Sequence, residues 1–252
     1  MSAVAQLYDR LYATICGRPP EANLFHFQGL LYHYLRRRIQ SLTPFAKGVF
    51  VDVGCGARPY EKYFRSKVER YVALDFPQTQ RQVGGARAPH AYADALNLPL
   101  KSGSADTLFY SEVLEHLPDP RQAFSEIARV LSPSGHLLLT TPFLYHLHSE
   151  PHDFSRQTPH GLRRLAVEAG LEIVAIRSLG GFWGALTINL NDYVYLRLLN
   201  ANFLTKAFKA TLGLILLPLW FGMTSAMALV LDSVLPAPEY AFNYTLVARR
   251  PK

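Results

Sequence analysis

The sequence predicts an α/β protein organised around a largely parallel sheet, and two observations lead there. From Val49 to about Ala185, short apolar runs alternate with helical patterns, which is the mark of βα units. A strand, a tight turn with two closely spaced glycines and a helical stretch open that zone at Val49–Tyr60. Composition agrees: the chain has 252 residues, 49% hydrophobic and 18% charged, so it can bury a sizeable core and is not disordered, collagen-like or coiled-coil.

Residues 1–47 form the first zone, an aromatic-rich helical cap with Leu30, Leu31, Tyr34 and Leu35 at helical spacing beside the basic run Arg36 to Arg38. Its start, Met1 to Tyr12, lacks the apolar run of a secretory signal, so no export is expected. Residues 48–185 form the core. Its expected strands are Val49–Val53, Arg70–Leu74, Thr107–Ser111, His136–Thr141 and Glu172–Arg177, with a short further one ending at Asp94-Ala95. Between them lie helical stretches. One begins at the cap residue Asp119 and carries Ala123, Ile127, Val130 and Leu131 on one face; another runs from Thr158 to Ala169 and stops at Gly170. Residues 186–238 form an apolar helical insert, and residues 239–252 hold a last strand, Tyr240–Ala248.

In Val53-Gly54-Cys55-Gly56-Ala57-Arg58-Pro59 the glycines permit a sharp bend and a close backbone approach to a ligand, and Pro59 suits a first helical turn. A dinucleotide fingerprint wants a third small residue where Pro59 stands, so phosphate cradling is disfavoured. On its own a G-x-G is equally compatible with a plain tight turn. Acids at strand ends strengthen it. Asp75 closes the second strand at the distance where an acid binds a ribose hydroxyl, Asp94 follows the third, and Glu112 and Glu115-His116 follow the fourth. Exposed loop acids are the alternative reading, for Asp94 above all.

These residues resemble the class I S-adenosylmethionine-dependent methyltransferases, in the branch with an "EVLEHLPDP" motif after strand four (a methyltransferase type 11-like branch). The resemblance runs through Val49 to Gly56, Asp75, Asp94-Ala95, Ser111 to Pro120, "VLSPSG" at Val130 to Gly135 and Leu137 to Pro142. It implies a three-layer, Rossmann-like seven-stranded sheet whose last strand is antiparallel, with S-adenosylmethionine as cofactor. It further implies that Asp52, Gly54 and Gly56 lie near the methionine moiety, Asp75 at the ribose, and Phe76, Asp94 and Ala95 near the adenine. Ser111 would lie beneath the sulfonium. Asp52 is equally explicable as a strand acid satisfied by neighbouring amides.

Methyl transfer from a sulfonium is an in-line displacement that asks the protein chiefly for alignment, with a base where the acceptor is a hydroxyl. His116 is the first candidate base. His152 with Asp153 or Glu150 is the second, in the histidine-rich stretch Tyr145 to Arg156. His146, His148 and His152 together would also make three metal ligands, but no cysteine pair or H-E-x-x-H accompanies them and no metal is expected.

Net charge is +7, and residues 210–231 carry no charge at all, a length of about 33 Å as a helix and enough to span a bilayer core. If the last strand joins the sheet of Glu172–Arg177, a single crossing is excluded. A break is expected near Pro218 and Gly222, and the stretch Leu186 to Phe208 reads as an amphipathic partner. Monotopic attachment is the preferred reading, with Arg36 to Arg38, Lys206 and Lys209 meeting anionic headgroups. The two cysteines, Cys16 and Cys55, are too few for a disulfide framework and suit a reducing cytoplasm, on whose membrane the protein is expected. Basic residues do not form a stripe interleaved with aromatics, so nucleic acid is not expected as a partner. A small-molecule acceptor, amphipathic or lipid-linked, is therefore expected first and a soluble metabolite or sugar second. A catalytically silent cofactor-binding scaffold at a membrane and a nicotinamide dehydrogenase are the rival readings.

Overall fold

A computed structural model describes residues 23–77, 88–200 and 216–252. Its sheet has seven strands: β1 (Val49–Val53), β2 (Arg70–Asp75), β3 (Ala91–Tyr92), β4 (Ala105–Ser111), β5 (Leu131–Pro142), β6 (Glu172–Leu179) and β7 (Asn243–Arg249). Their spatial order is β3-β2-β1-β4-β5-β7-β6. β1 pairs in parallel with β2 and with β4, β2 with β3 and β4 with β5, whereas β7 runs antiparallel to β5. The expected Rossmann-like sheet is present. Chain order steps outward on one side of β1 and outward on the other side of β4, so the carboxyl ends of these two neighbours flank the switch point where such sheets bind ligands.

Local chemistry accounts for the helices. α1 (Gly29–Leu42) buries Leu30, Leu35 and Ile39, and α2 (Glu61–Phe64) is a single turn. α3 (Pro120–Val130) starts where the Asp119 carboxylate accepts the Arg121 and Gln122 amides at 3.0 and 3.1 Å, and it buries Ala123, Phe124, Ile127 and Val130. Leu131, expected on that helix, opens β5 instead. α4 (Pro159–Glu168) is capped by the Thr158 hydroxyl, which accepts the Gly161 amide at 3.0 Å, and Gly170 ends the turn in the left-handed region. Pro59 precedes α2 by two residues rather than entering its first turn, because Arg58 also takes a positive φ and the bend continues to Tyr60.

The chain divides into two units. Ile39–Ser178 with Asn243–Lys252 carries the sheet, and Met1–Arg38 with Leu179–Phe242 forms a helical unit. In the first, the rings of Phe50, Phe64, Tyr71 and Phe109 make a buried aromatic centre, with Phe50 and Phe64 stacked at 4.6 Å.

In the second, α5 (Phe182–Asn200) and α6 (Leu217–Val234) pack together, and Phe27 stacks on Tyr195 at 3.8 Å. α6 runs unbroken through Gly222, against the expected break. Pro218 sits in its first turn, where no amide partner is lost, and a Cβ at Gly222 would meet the Phe25 ring at 2.6 Å. Among the described residues α6 alone is long and apolar enough to cross a membrane. Both flanking strands, β6 and β7, belong to one sheet, so a single crossing by the insert is excluded. Cys16, Met1 to Tyr12, Lys206, Lys209, residues 201–208 of the expected amphipathic stretch and residues 210–215 of the uncharged run lie outside the described residues.

Asp232, the charge that ends the apolar run, ties the two helices. Its carboxylate accepts the amides of Gly181, Trp183 and Gly184 at 3.0, 3.1 and 3.0 Å and the Tyr34 hydroxyl at 2.8 Å. It therefore caps α5 from another helix, satisfying first-turn donors that have no partner within their own helix. Asp232→Ala is expected to cost about 2 kcal/mol in denaturant unfolding, while Asp232→Asn, which keeps acceptors, loses less.

Candidate functional site at the carboxyl ends of the strands

The turn after β1 is built by residues that tolerate the left-handed region. Gly54 lies at φ +72°, and a Cβ there would stand 2.4 Å from Val113 Cγ2. With no side chain in the way, the Gly54 and Cys55 amides reach back to the Leu74 carbonyl at 2.9 and 3.0 Å. Gly56 lies at φ +52° with nothing within 4 Å of where a Cβ would be. This glycine borders open space and its amide donates to Asp75 Oδ2 at 3.0 Å. Asp75, buried at the end of β2, also accepts its neighbour Phe76's amide on Oδ1 at 2.8 Å, and the Phe76 ring is exposed. One carboxylate thus ties the end of β2 to the turn after β1.

Asp52 is buried in β1, and the Tyr71 hydroxyl donates to its carboxylate. Burial pushes its pKa up to about 7, against the lowering effect of the Tyr71 bond. Among the described residues the donor is a tyrosine from β2 rather than the neighbouring amides weighed from sequence. Asp94 follows β3 in an exposed turn, where Oδ1 accepts the Leu96 amide at 2.9 Å, and Ala95 beside it is buried.

At the end of β4 a polar chain crosses three strands. Ser111 Oγ and Thr140 Oγ1 lie 3.0 Å apart, Thr140 donates to Glu112 Oε1 at 2.7 Å, and Asn243 Nδ2 donates to both Glu112 oxygens at 2.8 and 3.0 Å. Burial raises the Glu112 pKa. Glu112 takes φ +56°, a strained conformation for a residue with a Cβ.

Glu115, three residues on, is fully buried, and among the described residues neither carboxylate oxygen accepts a hydrogen bond. Burial first, and then repulsion from Glu112, hold its pKa well above the usual range. Around it stand His116, with Nε2 at 3.7 Å from Oε1, and His148, with Nε2 at 4.0 Å from the same oxygen. The loop after β5 is folded over this group: the Phe154 amide donates to the Glu115 carbonyl at 2.8 Å, and His116 Nδ1 lies 2.6 Å from the His152 carbonyl.

The expected pairing of His152 with Asp153 or Glu150 is replaced by another. The His152 side chain is exposed, and Asp153 is held by Arg156 and lies 3.4 Å from His148 Nδ1, with the His148 amide donating to it at 3.0 Å. The Arg156 guanidinium pulls the Asp153 pKa down to about 2. The alternative grouping of His146, His148 and His152, weighed as a metal set and not expected, does not form among the described residues; His116 and Glu115 stand around His148 instead. Sequence reasoning missed Arg156, Thr140 and Asn243 as site residues and weighed His148 only in a grouping with His146 and His152. The one local signal was the E-x-x-E-H spacing, which sends two acids and a histidine into the same end of β4.

Residues 51–139 match the family described as "Methyltransferase domain". The chain is 32% identical over 101 residues to tocopherol O-methyltransferase of Arabidopsis thaliana, covering 36% of this chain and 29% of that protein. It is 32% identical over 94 residues to malonyl-[acyl-carrier protein] O-methyltransferase of Serratia marcescens, covering 36% of this chain and 37% of that one. The chain therefore spans less than half the length of these curated relatives. In fold it is similar to an S-adenosylmethionine dependent methyltransferase from Mesorhizobium loti, with a TM-score of 0.54 and 15% identity over 88% of this chain and all of that one (100%).

Because burial raises the Asp52 pKa in the folded state, the sign of its pH dependence follows. The unfolded carboxyl releases its proton near its ordinary value of 3.8 and the folded one near 7, so stability falls as pH rises between them. Asp52→Asn removes that penalty. Its unfolding free energy from denaturant titration is expected to exceed that of wild type at pH 8 by on the order of 2 kcal/mol, and the gap should close by pH 4. A gap that stays constant with pH would count against the assignment.

Proposed function

Because the chain belongs to the class I S-adenosylmethionine-dependent methyltransferase family, we propose that it transfers a methyl group from S-adenosylmethionine to a hydroxyl oxygen of a small, amphipathic or lipid-linked acceptor. One observation carries the cofactor half: the open space at Gly56 beside the buried Asp75 carboxylate, at the switch point of the sheet. A backbone edge without side chains and an acid at the second strand's end suit an adenosyl group. Gly54 and Gly56 would face the methionine portion with Asp52 behind them. Asp75 would take the ribose hydroxyls, and Phe76, Asp94 and Ala95 would border the adenine. When bound, the donor supplies an electrophilic methyl on a sulfonium, which leaves without help from an acid.

What remains for the protein is positioning and the acceptor's proton. Ser111, Glu112, Thr140 and Asn243 hold the end of β4 in one arrangement by mutual hydrogen bonds. Glu115, His116 and His148 are the ionisable groups beyond it. His152 and Asp153 support this group: the first through its carbonyl on His116, the second through its carboxylate on His148. An oxygen acceptor is favoured because both named curated relatives are O-methyltransferases.

The amphipathic character of the acceptor rests on α6. Leu219, Trp220, Met223, Met227, Val230 and Val234 are exposed on one side of this helix, whose one charged residue, Asp232, is turned to the start of α5, and Leu186, Leu190 and Tyr193 are exposed on α5. Apolar side chains in that number suit a lipid surface rather than water, so we place the protein on a membrane as a monotopic enzyme.

Two measurements test the proposal. With a methyl-labelled donor and cell lipid extract, label is expected on an oxygen of a lipid-soluble product, and Asp75→Ala should weaken calorimetric donor binding about 10- to 100-fold; wild type that binds no donor sinks the reading. In membrane fractionation the protein should stay with the lipid in high salt and dissociate in detergent, and full release by salt alone would remove the apolar anchor.

A further inference from the structure

We propose that Glu115, His116 and His148 form a binding site for one borderline divalent cation, of the zinc or cobalt type, that takes an acceptor oxygen as a further ligand. The clause about the acceptor rests on the methyl-transfer reading; the cation site does not.

The donor atoms already face one point. One carboxylate oxygen and two imidazole nitrogens lie within 4.8 Å of one another. Ligands at 2.0–2.1 Å from a tetrahedral ion stand about 3.4 Å apart, so small rotations of the two rings complete the set. Both histidines are about a quarter exposed and free to make that adjustment, whereas the Glu115 carboxylate is fully enclosed.

The imidazoles are also held as ligands are. His116 turns Nδ1 to the His152 carbonyl at 2.6 Å, which places the proton on Nδ1 and leaves the Nε2 lone pair facing Glu115. His148 turns Nδ1 toward the His146 carbonyl at 3.2 Å and Asp153 Oδ2 at 3.4 Å, with the same result. Arg156 Nη2, 3.5 Å from that Nδ1, directs its hydrogens to Asp153 Oδ2 at 2.7 Å and the His146 carbonyl at 3.3 Å. An oxygen acceptor behind each metal-facing histidine is the usual outer arrangement of such sites.

Glu115 supplies the independent reason. Its carboxylate is fully buried, receives no hydrogen bond among the described residues and is aimed at two nitrogens that carry no proton toward it. Glu112, by contrast, has three hydrogen bonds and stays outside the cluster. A buried carboxylate without donors is costly, and a cation between it and the imidazoles removes that cost. Two nitrogens and one carboxylate oxygen are the donor set of borderline ions, with coordination positions left for water or substrate. Such an ion would lower the pKa of a bound hydroxyl so that its proton passes to solvent water before the oxygen takes the methyl group and the sulfonium leaves as a neutral thioether, and neither histidine has to act as the base.

The full chain, stripped with a chelator, is titrated with Co2+ and Zn2+ by calorimetry, with the visible absorption of Co2+ recorded and donor binding measured in parallel. One equivalent with the absorption of low-coordinate Co2+ is expected, weakened at least about tenfold in Glu115→Gln and in His148→Ala with donor affinity retained. His148 is partly exposed, so its variant keeps the test valid if Glu115→Gln does not fold. Absence of stoichiometric binding, or binding unchanged in both variants, overturns the site. Cation binding without donor binding would leave the site standing and remove the methyl-transfer reading instead.

Discussion

One hydrogen bond organises the carboxyl ends of β1 and β2, that from the Gly56 amide to the Asp75 carboxylate. It exists because β1 and β2 run in parallel with Val53 opposite Leu74, so that both end at the same level. It also needs a turn with no side chain at two positions. At Gly54 a methyl group would strike Val113, and at Gly56 it would project into open space. The first glycine answers a packing constraint and the second keeps a surface bare, two different uses of the same residue. Asp52, one layer deeper, is held by Tyr71 across the same strand pair, and the pair therefore carries one acid for the fold and one for the edge.

Beyond β4 the problem is different: of two glutamates three residues apart, Glu115 is fully buried and Glu112 half-buried. Glu112 solves its burial within the protein, through Thr140 from β5 and Asn243 from β7. The antiparallel last strand contributes here, since its first residue stands opposite Pro142 and so reaches the same end of the sheet. Glu115 has no such donors among the described residues and is met by imidazoles. The difference separates a rigid strut from a group with capacity for a further partner.

The helical unit explains why the chain has few charges for its length. Apolar residues there are not confined to the interior, because α6 presents several of them outward while Thr224 and Asn191 bond to each other inside at 3.2 Å. Asp232 is spent on the start of α5 rather than on solvation. Composition read along the chain shows the deficit; only the packing shows which side it faces.

Much was legible without coordinates. Alternating apolar runs and helical periods placed the strands, since burial on both faces demands continuous apolar stretches. Asp119, Thr158 and Gly170 marked helix ends because capping is local chemistry. The glycines at 54 and 56 and the acid at 75 could be read because a sharp turn and a strand end leave few residue types acceptable. The pairing of Asp153 with Arg156 and His148, the tyrosine on Asp52, the donors of Glu112 and the cap on α5 could not. Each joins residues whose approach depends on sheet register or on how a loop folds back. Sequence alone thus determined the layered sheet, its turn and the acids at its edge, which follow from steric and periodic demands within a few residues. Tertiary structure decided which histidine meets which carboxylate and which face of the apolar helix stays exposed, because proximity between distant segments is set by packing and not by spacing along the chain.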